Sequence, residues 1–148
     1  MAYTAKLLIR DVPTAKKTDS VLDAAKRMKQ AKMGCIVVTE NKKPIGMFTE
    51  RDLINRVVAD GVDPAKTPIS KVMTSNPIVI DACEPLDIVF STLALGHFRN
   101  LPITDRGDLV GLVSLSDLAL VLREVYREDK YIQYFVDFFN KENPAPKP

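Results

Sequence analysis

The stretch Gly46-Met47-Phe48-Thr49-Glu50-Arg51-Asp52-Leu53 returns later in the chain as Gly111-Leu112-Val113-Ser114-Leu115-Ser116-Asp117-Leu118. A shift of 65 positions (111 minus 46) superposes the two stretches. The same shift carries residues 5–58 onto 70–123 without a gap, and apolar positions mostly fall on apolar positions. A repeat of this length is a structural unit, so function is expected where the two copies meet.

Length and composition are those of an ordinary globular protein. The chain has 148 residues, of which 46% are hydrophobic and 27% charged. A unit of about 55 residues is marginal alone, because a domain of that size buries only about 60% of its unfolded surface. The sequence therefore predicts one cooperative body with two lobes.

Charge and hydropathy argue against several classes of partner. Basic residues number 21 and acidic residues 19, and this balance does not indicate nucleic-acid binding. No apolar run approaches the ~20 residues that a membrane helix needs, and the first residues lack a signal-peptide pattern. We expect a cytoplasmic protein with no membrane partner and no nucleic-acid partner.

Each copy predicts the order strand, helix, strand, strand, helix. In the first copy the predicted elements are a weak strand over 12–15, a helix over 19–32 with Asp19 as N-cap, strands over 35–39 and 45–48, and a helix over 50–59. In the second copy they are a strand over 77–80, a helix from Pro85, strands over 101–104 and 109–113, and a helix from Leu115. A hairpin cannot cover both of its own faces, so helices should pack on one face while the other face meets the partner copy.

The C-terminal part differs from the repeats. We expect a first repeat over 1–60, a linker over 61–69, a second repeat over 70–123, a helix over 124–140 and a disordered tail over 141–148. The predicted helix over 124–140 holds six of the ten aromatic residues. Its apolar stripe shows only that something covers it, either a partner protein or the chain's own sheet.

The corner between strand and helix carries the same polar pair in both copies, Thr49-x-x-Asp52 and Ser114-x-x-Asp117. One explanation is a capping box, in which hydroxyl and carboxylate satisfy free backbone N–H groups at the helix start. The other is a binding site, because a helix N-terminus attracts phosphate and a carboxylate one turn later can accept both hydroxyls of a ribose. The pattern alone leaves both open.

At these corners the sequence resembles a known family. The stretches 45–53 and 110–118 resemble the signature of CBS domains, named for cystathionine β-synthase, and so do 72–77, 19–25 and 98–103. Two copies in register are similar to a tandem CBS pair, or Bateman module. The resemblance implies a fold of the α/β class (α+β type), with two β-α-β-β-α repeats packed with pseudo-twofold symmetry and two clefts between them. It also implies adenosine-containing ligands: AMP, ADP, ATP, S-adenosylmethionine or NAD.

The resemblance implies a role for particular residues in each cleft. The motif aspartate would hold the ribose, and the hydroxyl three residues earlier would lie near the phosphates. One cleft would use Thr49, Arg51 and Asp52, faced by Asn76, Pro77 and Ile78. The other would use Ser114, Ser116 and Asp117, faced by Thr14, Ala15 and Lys16.

Arg99 is a candidate phosphate ligand for the second cleft, although an arginine before a strand is also typical of a solvated surface. In the first copy, Gly34 occupies the position equivalent to Arg99. The sequence therefore leaves open whether one cleft or both are filled. Arg51 has two explanations as well: a residue of the first cleft, or a surface residue on the first helical turn.

The chain carries none of the common catalytic motifs and has one histidine, His97. We therefore expect no catalytic residues, no metal site and no catalytic cofactor. The favoured function is a ligand sensor that signals to an effector protein, and the alternative is an assembly module with empty clefts. A homodimer is expected, because the helices that follow the motifs carry apolar residues on more than one side: Leu53, Ile54, Val57 and Val58, and Leu118, Leu120, Val121 and Leu122.

Overall fold

The computed structural model describes residues 3–125 of the chain. Residues up to Leu115 form one compact unit, and those from Ser116 onward belong to a second. From residue 126 onward, the predicted aromatic helix and tail lie outside the described residues. No helix within residues 3–125 is both long and apolar enough to cross a membrane.

The two copies fold with the same order of elements, as the sequence predicts. In the first copy these are β1 (Thr14–Ala15), α1 (Val21–Ala31), β2 (Cys35–Glu40), β3 (Lys43–Thr49) and α2 (Glu50–Asp52), which continues as a π-helix over Leu53–Val58. The second copy contributes β4 (Thr74–Ser75), β5 (Ile80–Asp81), α3 (Leu86–Gly96), β6 (Asn100–Asp105), β7 (Asp108–Ser114) and α4 (Leu115–Val125). Short 3-10 turns cover Ala5–Leu8 and Ile69–Lys71.

Two local predictions are wrong. The N-cap of α1 is Ser20, whose Oγ accepts from the Asp23 N–H at 3.1 Å. Asp19 instead accepts from the Lys16 N–H and from the Arg27 guanidinium, each at 2.8 Å. The backbone bond from Lys16, together with Arg27, lowers the pKa of the Asp19 carboxyl.

The second wrong prediction is the strand over 77–80, which begins only at Ile80. Asn76 has a left-handed φ of 50°, and Pro77 has no N–H to donate to a ladder. Ile78 and Val79 are consequently exposed.

The copies exchange their leading segments, which are residues 4–10 and 68–75. In the first sheet, of order β1-β2-β3-β4, the outer strand β4 comes from the second copy and pairs antiparallel with Gly46 and Met47. The exchange is reciprocal, because Arg10 forms an antiparallel bridge with Leu112 on β7, with both N–O distances at 2.9 Å. Each sheet is therefore completed by the other copy.

The leading segments also close the core of the copy on which they lie. Ile69 is fully buried in the first core, and its N–H donates to the Asp19 carbonyl at 2.8 Å. In the second copy Ala5 is fully buried and its N–H donates to the Glu84 carbonyl at 2.9 Å. Residue 69, predicted as the end of a linker, is thus a core residue of the opposite copy.

The first hairpin is buried on both faces. Ile36, Val38 and Phe48 pack with α1 residues in one apolar core, while Cys35 and Val37 pack with Leu112 of the second copy in another. This arrangement confirms the expectation that helices cover one face and the partner copy covers the other.

Candidate functional site

The first corner, Thr49–Asp52, forms a complete capping box. The Thr49 N–H donates to Asp52 Oδ2 at 3.0 Å, and the Asp52 N–H donates to Thr49 Oγ1 at 3.4 Å. Thr49 Oγ1 also donates to Asp52 Oδ2 at 3.2 Å. The helix-capping explanation of this motif is therefore realised in the structure.

The other carboxylate oxygen of Asp52 faces Arg56, whose Nε lies 3.5 Å from Oδ1. Arg56 also donates from a terminal guanidinium nitrogen to the Val72 carbonyl at 3.0 Å. Because Val72 lies in the exchanged leading segment, Arg56 joins the first corner to the second copy. Each oxygen of Asp52 thus already has a partner within the chain.

The predicted opposing residues lie on the same sheet edge as Thr49 but farther along it. The Asn76 N–H donates to the Ile45 carbonyl at 3.1 Å. Ile45 precedes Thr49 by four strand residues, which is about 13 Å along β3. Asn76 and Ile78 are exposed and Pro77 is half-buried.

The residues expected to face the second corner belong to the first sheet. β1 runs parallel to β2, with Thr14 opposite Val37 and Ala15 opposite Val38. The Ala15 side chain is buried in the first core, so at this position the backbone is what remains available to a ligand. The Lys16 side chain is exposed.

The second corner begins at Ser114, the last residue of β7, which is half-buried and lies opposite Asn100 on β6. The Leu115 N–H donates to the Arg99 carbonyl at 2.9 Å, which places the Arg99 backbone beside the start of α4. Arg99 and Ser116 are exposed, whereas Asp117 is buried. The backbone of Arg99 thus lies beside the end of β7, the strand that carries the predicted phosphate-binding residue Ser114.

The first corner has a different charge at the equivalent position. The Glu50 N–H donates to the Gly34 carbonyl at 3.0 Å, matching the bond between Leu115 and Arg99. The Glu50 carboxyl group lies over Gly34, with its atoms 3.0–3.2 Å from the position of an added Cβ. Glu50 and Arg56 were not among the residues expected from the sequence. The repeat aligns Glu50 with the uncharged Leu115, and this difference in charge is the signal that could have identified Glu50.

The charge of Glu50 also affects the pKa of the Cys35 thiol. Burial, with a further contribution from the negative charge of Glu50, raises the pKa of Cys35 to about 11. A thiol with so high a pKa stays protonated at neutral pH and is a poor nucleophile.

His97 ends α3 in a left-handed conformation and is exposed. Among residues 3–125, no group of three or more His, Cys, Asp and Glu side chains is arranged to hold a metal ion.

Comparison with known proteins identifies the repeat. The family model described as CBS domain matches the chain twice, over residues 5–59 and 69–124. The chain belongs to the CBS domain family. Its two matched regions form a CBS pair, which confirms the resemblance seen in the signatures and the predicted fold class.

Relatives of this CBS pair are widespread. The CBS domain-containing protein YhcV of Bacillus subtilis is 34% identical over 120 residues, which cover 81% of this chain and 85% of the relative. CBSCBSPB2 of Arabidopsis thaliana is 30% identical over 112 residues, or 75% of this chain. This chain spans about a fifth of the length of such plant relatives, 21% for CBSCBSPB2 and 18% for CBSCBSPB1.

Solved structures share the fold. A conserved protein from Pyrococcus horikoshii has a TM-score of 0.74 and 29% identity, covering 83% of this chain and 94% of that one. A CBS domain protein from Pyrobaculum aerophilum, solved in complex with AMP, has a TM-score of 0.72 and 25% identity, covering 83% of this chain and 97% of that one.

Proposed function

We propose that this CBS pair is a regulatory module that senses adenosine-containing ligands in the clefts between its two repeats and signals to a partner protein. The observation that carries the proposal is the hydroxyl–aspartate corner present in both copies of a CBS pair, a fold whose Pyrobaculum relative was solved with AMP. AMP, ADP and ATP are the favoured ligands, with S-adenosylmethionine and NAD as further members of the same class.

The chemistry of the second corner suits a nucleotide. A carboxylate such as Asp117 can accept from ribose hydroxyls, and Arg99, whose backbone carbonyl accepts from the Leu115 N–H, carries a guanidinium that can bind phosphate. Guanidinium–phosphate hydrogen bonds are among the strong interactions available to proteins. The proposal assigns ribose recognition to Asp117 and phosphate recognition to Arg99, Ser114 and Ser116.

A thermal-shift series with AMP, ADP, ATP, NAD, S-adenosylmethionine and GMP tests the function. A ligand at 100 times its Kd stabilises the folded state by about 2.7 kcal/mol, which corresponds to a rise in Tm of roughly 5–10 °C for a domain of this size. We expect a rise with at least one adenosine compound and none with GMP. A Tm unchanged by all six compounds would reject the sensor function.

The second candidate function is an assembly module whose clefts stay empty. The capping box at Thr49–Asp52 favours it for the first corner, because the contacts of Asp52 are already supplied by Thr49 and Arg56. If no compound shifts Tm, both motif aspartates are helix caps and this alternative stands.

We further propose that the module is a homodimer. Ile54 and Val58, one helical turn apart, are 60% and 69% exposed, which is unusual for two neighbouring large aliphatic side chains. Twofold association is the commonest way to cover such a surface. Light scattering of the intact chain should give twice the chain mass, and Ile54→Lys should lower it. A monomeric mass for the unmodified chain would contradict the dimer.

A further inference from the structure

The methionines of this chain are confined to one side of the repeat. The chain has five. Those after the first residue all lie in the first copy or pack on it: Met28, Met33, Met47 and Met73. The repeat shift pairs them with Leu93, Phe98, Leu112 and Leu8. The first copy therefore has an oxidisable thioether at each of these places, where the second copy has a hydrocarbon side chain.

Two of these methionines lie where the copies meet. Met47 lies opposite Val37 in the first hairpin, and both Met33 and Met47 pack against the buried cluster of Cys35, Val37 and Leu112. Leu112 belongs to the second copy and is the counterpart of Met47 in the repeat. The two equivalent side chains thus pack on one apolar cluster from opposite copies. This cluster, together with Met33 and Met47, is called the joint.

The joint methionines differ in burial from the residues they contact. Met33 and Met47 are half-buried, whereas Cys35 and Leu112 are each 1% exposed. Met28, in the core of the first copy, is 5% exposed. Oxidation of methionine turns a flexible apolar side chain into a polar one and disrupts methionine-rich contacts. Met33 and Met47 therefore combine access for a small oxidant with a place in the contact between the copies.

The reaction is the transfer of one oxygen atom from a hydroperoxide, of which hydrogen peroxide is the simplest. The O–O bond breaks, an S–O bond forms at the thioether, and water leaves. The sulfur loses two electrons and becomes a sulfoxide. A polar group in apolar contact without a hydrogen-bond partner is unfavourable, and at the joint this cost weakens the contact between the copies.

We infer that Met33 and Met47 form an oxidative modification site, at which a hydroperoxide produces sulfoxides and loosens the joint. Packing alone does not require sulfur at this place, because Leu112 fills the position equivalent to Met47 without it. The site goes beyond ligand sensing, since its reaction and its effect involve no nucleotide.

The test compares the accessibility of Cys35 before and after treatment with hydrogen peroxide. The exposed Cys83 is replaced by serine in every chain, so that Cys35 is the one thiol available to a labelling reagent. Peroxide should raise the labelling rate of Cys35 about tenfold or more, because a polar group then lies in the apolar joint. Methionine sulfoxide reductases, with a dithiol that is oxidised to a disulfide as water forms, should restore the slow rate.

The variants replace sulfur with hydrocarbon, as in the second copy. Met33→Leu combined with Met47→Leu conserves volume, and after peroxide the labelling rate of this double variant should stay within about twofold of its untreated value. Met73→Leu is the matched control. Met73 is also half-buried, but it packs against the first core, with its sulfur at the place where a Cβ on Gly46 would lie. This control should respond to peroxide as strongly as the chain that keeps all its methionines.

Peptide mapping locates the added oxygen, since Met33, Met47 and Met73 fall in different tryptic peptides, 33–42, 43–51 and 72–99. Peptides 33–42 and 43–51 of the folded chain should each gain one oxygen on methionine. Should the double variant not fold, this mapping and the reversal by the reductases decide the question.

Four outcomes would overturn the site. These are the absence of oxygen from both peptides, a labelling rate that peroxide leaves unchanged, an equal rise in the double variant, and loss of the rise in Met73→Leu. Nucleotide binding enters none of these measurements, so the sensor function and the oxidation site are tested separately.

Discussion

At the scale of single residues, the glycine that opens each signature has a role that the repeat did not reveal. A Cβ on Gly111 would lie 2.5 Å from the Arg10 carbonyl oxygen, a backbone atom of the exchanged leading segment. A Cβ on Gly46 would meet the side chain of Met73, which is flexible. Both glycines permit the close approach of a leading segment, but only at Gly111 is a backbone atom in the way.

We expect Gly111→Ala to destabilise the fold by about 1–3 kcal/mol, the usual cost of overpacking. Gly46→Ala should cost less, because the Met73 side chain can turn aside. Urea unfolding of the two variants measures the difference. Equal losses of stability would show that the backbone contact at Arg10 is not the controlling one.

The two cysteines should differ in reactivity. Cys83 is exposed and Cys35 is buried, and the pKa of Cys35 is raised from 9.0 to about 11. The native state therefore holds the Cys35 proton more tightly than the unfolded state, so this contribution to stability is full below pH 9 and is lost as pH rises toward 11. At pH 8 a thiol reagent should modify one thiol per native chain, and the second only after unfolding. Rapid modification of two thiols in the native chain would contradict the burial of Cys35.

At the scale of elements, the sequence predicted the order and most bounds of the strands and helices, because the repeat and the apolar runs reinforce each other. It misplaced the first strand of the second copy, since the left-handed turn at Asn76 is not visible as a pattern. The sequence indicated the Thr49–Asp52 corner but not the role of Arg56. Arg56 donates to the Val72 carbonyl, and Val72 lies in a segment that reaches the first copy only through long-range pairing, which a sequence pattern does not show.

Arg56→Gln should lower the free energy of unfolding by about 0.5–1.5 kcal/mol, the net worth of a typical hydrogen bond, since the ion pair with Asp52 is partly exposed and adds little. Arg51→Gln, an exposed change in the preceding turn of the same helical segment, is the matched control and should stay within about 0.5 kcal/mol of the unmodified chain. Urea denaturation of both variants measures this. If the two lose equal stability, Arg56 does not tie the corner to the leading segment.

At the scale of the whole molecule, the exchange of leading segments explains why neither copy is complete alone. Ile69 and Val72 are buried in the first core, although they precede the second copy's own strands. The sequence predicted two interdependent lobes from their small size, but not the exchange, because two-residue strands such as β4 leave no periodic signal.

Unfolding should therefore be one cooperative transition. Circular dichroism at 222 nm and the accessibility of Cys35, which lies between the copies, should report the same midpoint in urea. Exposure of Cys35 at a clearly lower urea concentration would show that the copies separate before they unfold.

The most direct test of the sensor account is the titration of AMP into the unmodified chain and into Asp117→Asn. The matched control is Asp87→Asn, which changes an exposed aspartate in the first turn of α3, away from both corners. The account predicts binding by the unmodified chain, a loss of about tenfold or more in affinity for Asp117→Asn because hydrogen bonds to a charged group are lost, and little change for Asp87→Asn. An AMP affinity that is the same in the unmodified chain and in Asp117→Asn would contradict it.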